Sequence, residues 1–118
     1  MGLDQYAYAR NKGGEDQDLQ YWRKHNALHG WMLMLYRIKG GKGVFNGVEV
    51  ELDGNDLEQL KKCVVNGTLP VTQGFFFGSD SSRDDERGLY LREATLKFVA
   101  KAKEALARGE KVYYDSSW

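Results

Sequence analysis

Residues 18–38 read DLQYWRKHNALHGWMLMLYRI, and the fold turns on how this stretch is read. Apart from Gly30 it contains no Gly or Pro, and it is long enough for about five turns of helix. Asp18 is a suitable N-cap. The second half, WMLMLYRI, is apolar nearly all round, as in a helix end buried on several sides. The first half, LQYWRKHNALH, sets Arg23, Lys24, His25, Asn26 and His29 among aromatic residues. On a helix Trp22, Asn26 and His29 would share one face, with His25 beside them. Gly30 disfavours a helix interior by about 1 kcal/mol relative to Ala, so it marks a close packing contact or a bend.

Working outward, LDQYAYA at residues 3–9 alternates as a strand does, and NKGGEDQD after it is turn-prone, with Gly13 and Gly14 at an exposed tip. KGGKG forms a loop. VFNGVEVEL at 44–52 reads as a strand or hairpin, with Asn46–Gly47 as its turn and Val48, Val50 and Leu52 on one face. A second helix is expected at about 55–65, capped by Asn55 with Glu58 three residues on and stopped at Asn66–Gly67. Its apolar stripe is Leu57, Leu60 and Val64. GFFFGS at 74–79 reads as a strand covered on both faces. A third helix, at about 89–108, carries Leu91, Ala94, Thr95, Phe98, Val99, Ala102, Ala105 and Leu106 on one stripe and ends at Gly109. KVYYDSSW closes the chain as a strand, and the two Tyr-rich terminal strands are candidates to pair. The expected fold is a single α+β domain over residues 1–118, a small mixed or antiparallel sheet of about four strands packed with three helices.

Composition fits such a domain. With 42% hydrophobic and 13% aromatic residues, the chain can build a core without metals or disulfides. Seventeen basic and seventeen acidic side chains cancel, which argues against a binder of long nucleic acid and against an acidic DNA mimic. Low net charge also favours a homo-oligomer. Cys63 is the sole cysteine, so no intramolecular disulfide forms, and a buried structural thiol is expected. The start, MGLDQYAYAR, has neither the basic head nor the apolar stretch of a secretory leader, and no apolar run approaches a membrane span. A cytoplasmic location without membrane contact is the expectation.

Three segments can carry chemistry. In YWRKHNALH, buried Asn and His side chains need hydrogen-bond partners, so they either line a polar pocket or knit a helix to the sheet. His25 and His29 have the spacing of two helical metal ligands, but no further His exists and Asn26 stands where a metalloprotease has Glu. No metal or cofactor is therefore expected. In GFFFGS, flanking glycines allow close backbone approach, and Gly78–Ser79 can present amides to an anion. In YYDSSW, Ser116 and Ser117 offer hydroxyls, and Tyr113, Tyr114 and Trp118 offer flat faces for stacking a base. The chain has no nucleophile elbow and no phosphate-cradling loop, so no catalytic set is assigned.

GLDQYAY at 2–8, YWRKHNALHGW at 21–31, LPVTQGFFFGS at 69–79 and YYDSSW at 113–118 together resemble a family of small proteins found widely in tailed phages. Gln5 and Ala7 depart from the family, which more often carries Met and Leu there; both read as packing changes. Some relatives carry kinase-like labels, but the sequence supplies no magnesium- or phosphate-binding set for such a reaction. By context, the resemblance implies a protein that counters host defence in the infected cell. The reading is a non-enzymatic sponge for a small nucleotide-like ligand. Trp22, Phe76 or Trp118 would stack a base, Arg23, Lys24 and His25 would neutralise phosphate, and Asn26 would read a base edge or ribose. A protein–protein inhibitor of a host defence protein, or a small nucleotide-signal hydrolase, are the alternatives.

Overall fold

The computed structural model describes residues 2–69 and 86–118. The elements run β1 (Asp4–Arg10), β2 (Asp16–Arg23), α1 (Asn26–Ile38), β3 (Val50–Leu52), α2 (Gly54–Asn66), α3 (Glu86–Ala107) and β4 (Lys111–Ser117). The four strands form one antiparallel sheet in the order β2-β1-β4-β3. The described residues thus form a small α+β fold with three helices and an open sheet. The chain's first and last strands pair in the centre, Asp4 opposite Ser117 through Arg10 opposite Lys111, as their matching Tyr-rich patterns suggested.

The segment at 18–38 is the main correction. It divides into the edge strand β2 and the helix α1. Asn11 closes the β1–β2 hairpin: its side-chain oxygen accepts from the Gly13 and Glu15 amides, and Gly14 turns with φ +83°. With partners that near in sequence, the Tyr–Trp stretch gains a ladder at little loop-closure cost, and pairing overrides a weak helical preference. Leu19 is inserted as a bulge, since Ala7 faces Gln20 while Tyr8 faces Asp18. Helix cannot extend back from Asn26, because Lys24 has φ 55°. Trp22 accordingly shares no helical face with Asn26 and His29.

One sheet face is the core. Gln5, Ala7 and Ala9 of β1, Trp22 of β2, Val50 and Leu52 of β3, and Val112, Tyr114 and Ser116 of β4 are all buried. Trp22 meets Phe98 of α3 edge-on, with ring centroids 5.3 Å apart, and donates from Nε1 to Thr95 Oγ1 at 3.1 Å. Thr95 in turn donates to Leu91 O at 2.8 Å, so the buried indole N–H is satisfied without water. The expected stripes hold: Leu57, Leu60 and Val64 of α2 are buried, as are Leu91, Ala94, Thr95, Phe98, Val99, Ala102 and Ala105 of α3, while Leu106 is partly buried.

Local details differ from the sequence reading at three points. The cap of α2 is Asp53, not Asn55: Asp53 accepts from the Asp56 amide, and Asp56 reaches back to the Asp53 amide. Lys39 Nζ, just past α1, pairs with Asp56 at 2.6 Å and so ties the two helices together. The 44–52 segment forms no hairpin of its own; only Val50–Leu52 is strand, and Gly47 instead donates its N–H to Ser116 O at 2.6 Å. Cys63 is half-buried rather than fully enclosed. The expected GFFFGS strand lies outside the described residues. Among the described residues no helix is long and apolar enough to cross a membrane.

A left-handed backbone at a residue with a Cβ costs about 1–2 kcal/mol, of which glycine's greater unfolded entropy returns about 0.5–1 kcal/mol. Lys24→Gly is therefore expected to stabilise the fold by about 0.5–1 kcal/mol. The check is a rise of a few degrees in midpoint in a thermal melt of the variant against the wild-type chain.

Candidate functional site

The turn at Lys24 brings three distant stretches together. β1 ends its ladder with β2 at Asp4 opposite Arg23, and the Lys24 amide then donates to Leu3 O at 2.8 Å. The chain next reverses into α1, which exposes the backbone of His25 to the interior. Gln5, fully buried at the adjacent inward position of β1, meets that backbone with one amide: Oε1 accepts from the His25 N–H at 2.8 Å, and Nε2 donates to His25 O at 3.0 Å. Its second amide hydrogen goes to the Tyr114 hydroxyl of β4, also at 3.0 Å.

Tyr114 passes the chain on. Its hydroxyl lies 2.9 Å from His29 Nδ1. With both Gln5 hydrogens committed, we assign the Tyr114 hydrogen to His29 Nδ1, which places the imidazole proton on Nε2. Burial lowers the His29 pKa from 6.5 to about 4, so the ring is neutral at pH 7. Burial pushes the Tyr114 phenol well above its ordinary value. Neither group ionises near neutrality, and each serves the other as a neutral partner. Ser116, two residues along β4 and on the same face, is 1% exposed and sits beside the Tyr114 hydroxyl without meeting bonding geometry.

An aromatic wall closes the cluster. His29 stacks on Phe45 with centroids 5.2 Å apart, Tyr36 stacks on the Phe45 ring at 4.8 Å, and Trp118 meets His29 edge-on at 6.2 Å. Trp118 is held on both sides of its backbone by Asn46, which accepts from its N–H at 3.1 Å and donates to its carbonyl at 2.9 Å. Its indole N–H donates to Phe45 O at 3.0 Å. Trp118 is therefore fixed by a side chain more than seventy positions away in sequence.

The sequence-derived site residues divide by exposure. His25, Asn26, His29 and Ser116 are buried together around this cluster, and Trp118 packs at its edge. Arg23 and Lys24 are exposed on the turn, and both side chains lie against Gly2: a Cβ there would stand 3.2 Å from Arg23 Nη2 and 3.5 Å from Lys24 Cε. Trp22 is placed elsewhere, in the core against Phe98, with no ring face open to a base. Phe76, Gly78 and Ser79 lie outside the described residues. Gln5 was read as a packing residue and is instead the hub. The signal was present, since Leu3, Gln5, Ala7 and Ala9 are successive inward positions and one of them is polar. Phe45 and Asn46 carried no such signal, because each resembles an ordinary core or turn residue, while Tyr114, read as a stacking face, is fully buried and acts through its hydroxyl.

Among the described residues no group of three or more His, Cys, Asp or Glu could hold a metal ion. No protein-family model matches the chain, and no curated protein or solved structure shows significant similarity to it.

Gln5→Leu removes the side chain that bonds the His25 N–H, the His25 carbonyl and the Tyr114 hydroxyl at a buried site; the carbonyl keeps the His29 N–H and the hydroxyl keeps His29 Nδ1. A loss of about 2–4 kcal/mol is expected, read as a lower urea midpoint with unchanged slope. The depressed pKa of His29 also sets a pH dependence. As pH falls below about 6.5 the unfolded chain protonates first, so stability present in full above that pH drains away down to about 4, by about 3 kcal/mol in all. Urea melts at pH 7, 5.5 and 4.5 should show this decline in the wild type and a shallower one in His29→Gln.

Proposed function

We propose that this is a phage-type, non-enzymatic protein that holds a small nucleotide-like ligand, with the phosphate engaged by Arg23 and Lys24. The observation that carries the reading is convergence. GLDQYAY, YWRKHNALHGW and YYDSSW, the stretches that carry the family resemblance, meet at one corner of the sheet, through Gln5, His25, His29 and Tyr114. At that corner two exposed cations lean over the backbone of Gly2. Lys24 itself adopts a left-handed backbone that a glycine would adopt more readily, the kind of local strain that collects at functional positions.

Retention of a ligand is better supported than turnover. His25 and His29, the two histidines a hydrolase could use, are both buried, and His29 has Nδ1 engaged by Tyr114, so substrate would have to displace the core to reach them. The reading also changes which residues do what. The partly exposed aromatic at the edge of the cluster is Trp118, and Trp22→Ala tests stability rather than binding, since it empties a core position.

The test is a thermal-shift screen against mono-, di- and cyclic nucleotides, including ADP-ribose derivatives. A ligand at one hundred times its dissociation constant adds about 2.7 kcal/mol, several degrees for a domain of this size. Arg23→Glu and Lys24→Glu are expected to abolish the shift while leaving the ligand-free melting point within about a degree. Ligand released by heat should be chemically intact. Recovered product would mean a hydrolase, and no shift with any nucleotide would turn the case toward a protein partner.

A further inference from the structure

The second sheet face, turned away from the helices, is an acidic tyrosine platform. Register places its residues in rows: Tyr21, Tyr6 and Asp115 in one, and Asp18, Tyr8, Tyr113 and Glu51 in the next. Tyr6 and Tyr21 have ring centroids 5.5 Å apart and are 42% and 47% exposed. Tyr8 and Tyr113 stack with centroids 5.9 Å apart. The second row already holds a guanidinium of the protein's own. Arg10 lies 4.6 Å over the Tyr113 ring and 5.8 Å from that of Tyr8, and it is ion-paired to Asp16 at 2.7 Å and Glu49 at 2.8 Å. Two tyrosine faces and two carboxylates thus make a working guanidinium seat.

The first row repeats the composition of that seat. Tyr6 and Tyr21 supply the rings, Asp115 stands directly across the ladder from Tyr6, and Asp4 accepts from the Tyr21 hydroxyl at 2.6 Å. Among the described residues no cation lies over either ring face; Arg23 stays at the edge of the row, 3.7 Å from Asp4 and beside the Tyr21 hydroxyl. Partial burial and the charge of Glu49 raise the Asp115 pKa, so an arriving cation would relieve that carboxylate. Across the face, Asp4, Asp16, Asp18, Glu49, Glu51 and Asp115 outnumber Arg10, Arg23 and Lys111 by six to three.

We infer that this face docks an extended, arginine-rich segment of a partner protein, with one guanidinium on the Tyr6–Tyr21 row. Charge selects among occupants. An excess of carboxylates repels the phosphates of a nucleic acid and repels the same face of a second copy. Shape selects arginine over lysine, because a planar guanidinium stacks on a ring and forks to a carboxylate while an ammonium does neither as well. The strand spacing fits too: rows two residues apart along β1 are about 7 Å apart, the interval between alternate side chains of an extended peptide. This inference does not rest on the nucleotide reading, which concerns the corner at Gly2.

The experiment is a fluorescence-anisotropy titration of the whole chain with a labelled alternating Arg-Ala peptide, its Lys-Ala counterpart and a labelled oligonucleotide. Saturable binding of the arginine peptide is expected, about fivefold or more tighter than the lysine peptide and weakening as salt rises. Tyr6→Ser and Tyr21→Ser should each weaken it by about fivefold to tenfold. Asp115→Asn, a second probe that leaves the rings in place, should weaken it as well. The nucleotide-induced thermal shift should persist in Tyr6→Ser. The inference is overturned by equal affinity for both peptides, by insensitivity to the tyrosine substitutions, by preference for the oligonucleotide, or by a dimer formed through this face.

Discussion

The amide of Gln5 holds the ends of three elements in register. A chain that leaves a strand and reverses into a helix frees backbone groups at the reversal, and burying them unpaired would be costly. Here the reversal falls at Lys24, and Gln5 answers the N–H and C=O of His25 as a neighbouring strand would. Its remaining hydrogen links the same point to Tyr114 on the central strand β4, and through it to His29 one turn into α1. Without this clamp the helix could still form, but its first turn would have no fixed position on the sheet. The left-handed Lys24, the buried neutral His29 and the docked Trp118 all depend on that position.

The sheet keeps its two chemistries on opposite faces. On the helix side Gln5, His25, His29 and Tyr114 are buried and linked by hydrogen bonds, and Trp22 and Phe98 pack in the apolar core beside them. On the other side tyrosines alternate with carboxylates. Period-two alternation makes the separation possible, because each strand sends successive residues to opposite faces. Tyr113 and Tyr114 are adjacent in sequence, yet one stacks with Tyr8 on the open face and the other bonds to His29 inside.

How well the elements could be read depended on how local their causes are. α3 was legible because its apolar residues recur at helical spacing for several turns, and a long amphipathic stripe has few other ways to be buried. The ends of α2 were legible only in part: Gly67 stops it as expected, but Asp53 outcompeted Asn55 as cap because Asp56 could reciprocate and also meet Lys39. The stretch at 18–38 misled because a helical spacing can be drawn through Trp22, Asn26 and His29 whether or not the backbone is helical. The hairpin at Asn11–Glu15 and the inward register of Leu19 and Trp22 decided otherwise. At the site, the sequence marked Arg23, Lys24, His25, Asn26, His29, Ser116 and Trp118 by their unusual polarity or terminal placement. It could not show that Gln5 unites them.

The sequence by itself determined the fold class, the inward stripes of α2 and α3, and the absence of any intramolecular disulfide, and it marked the terminal strands as candidates to pair. Each follows from local periodicity, glycine placement or residue count. Only the tertiary structure decided that the 18–38 stretch splits at Lys24, that Trp22 is core and Gln5 is hub, and that Asn46 fixes Trp118. These depend on contacts between residues tens of positions apart, where register and burial choose the partner and no local pattern records the choice.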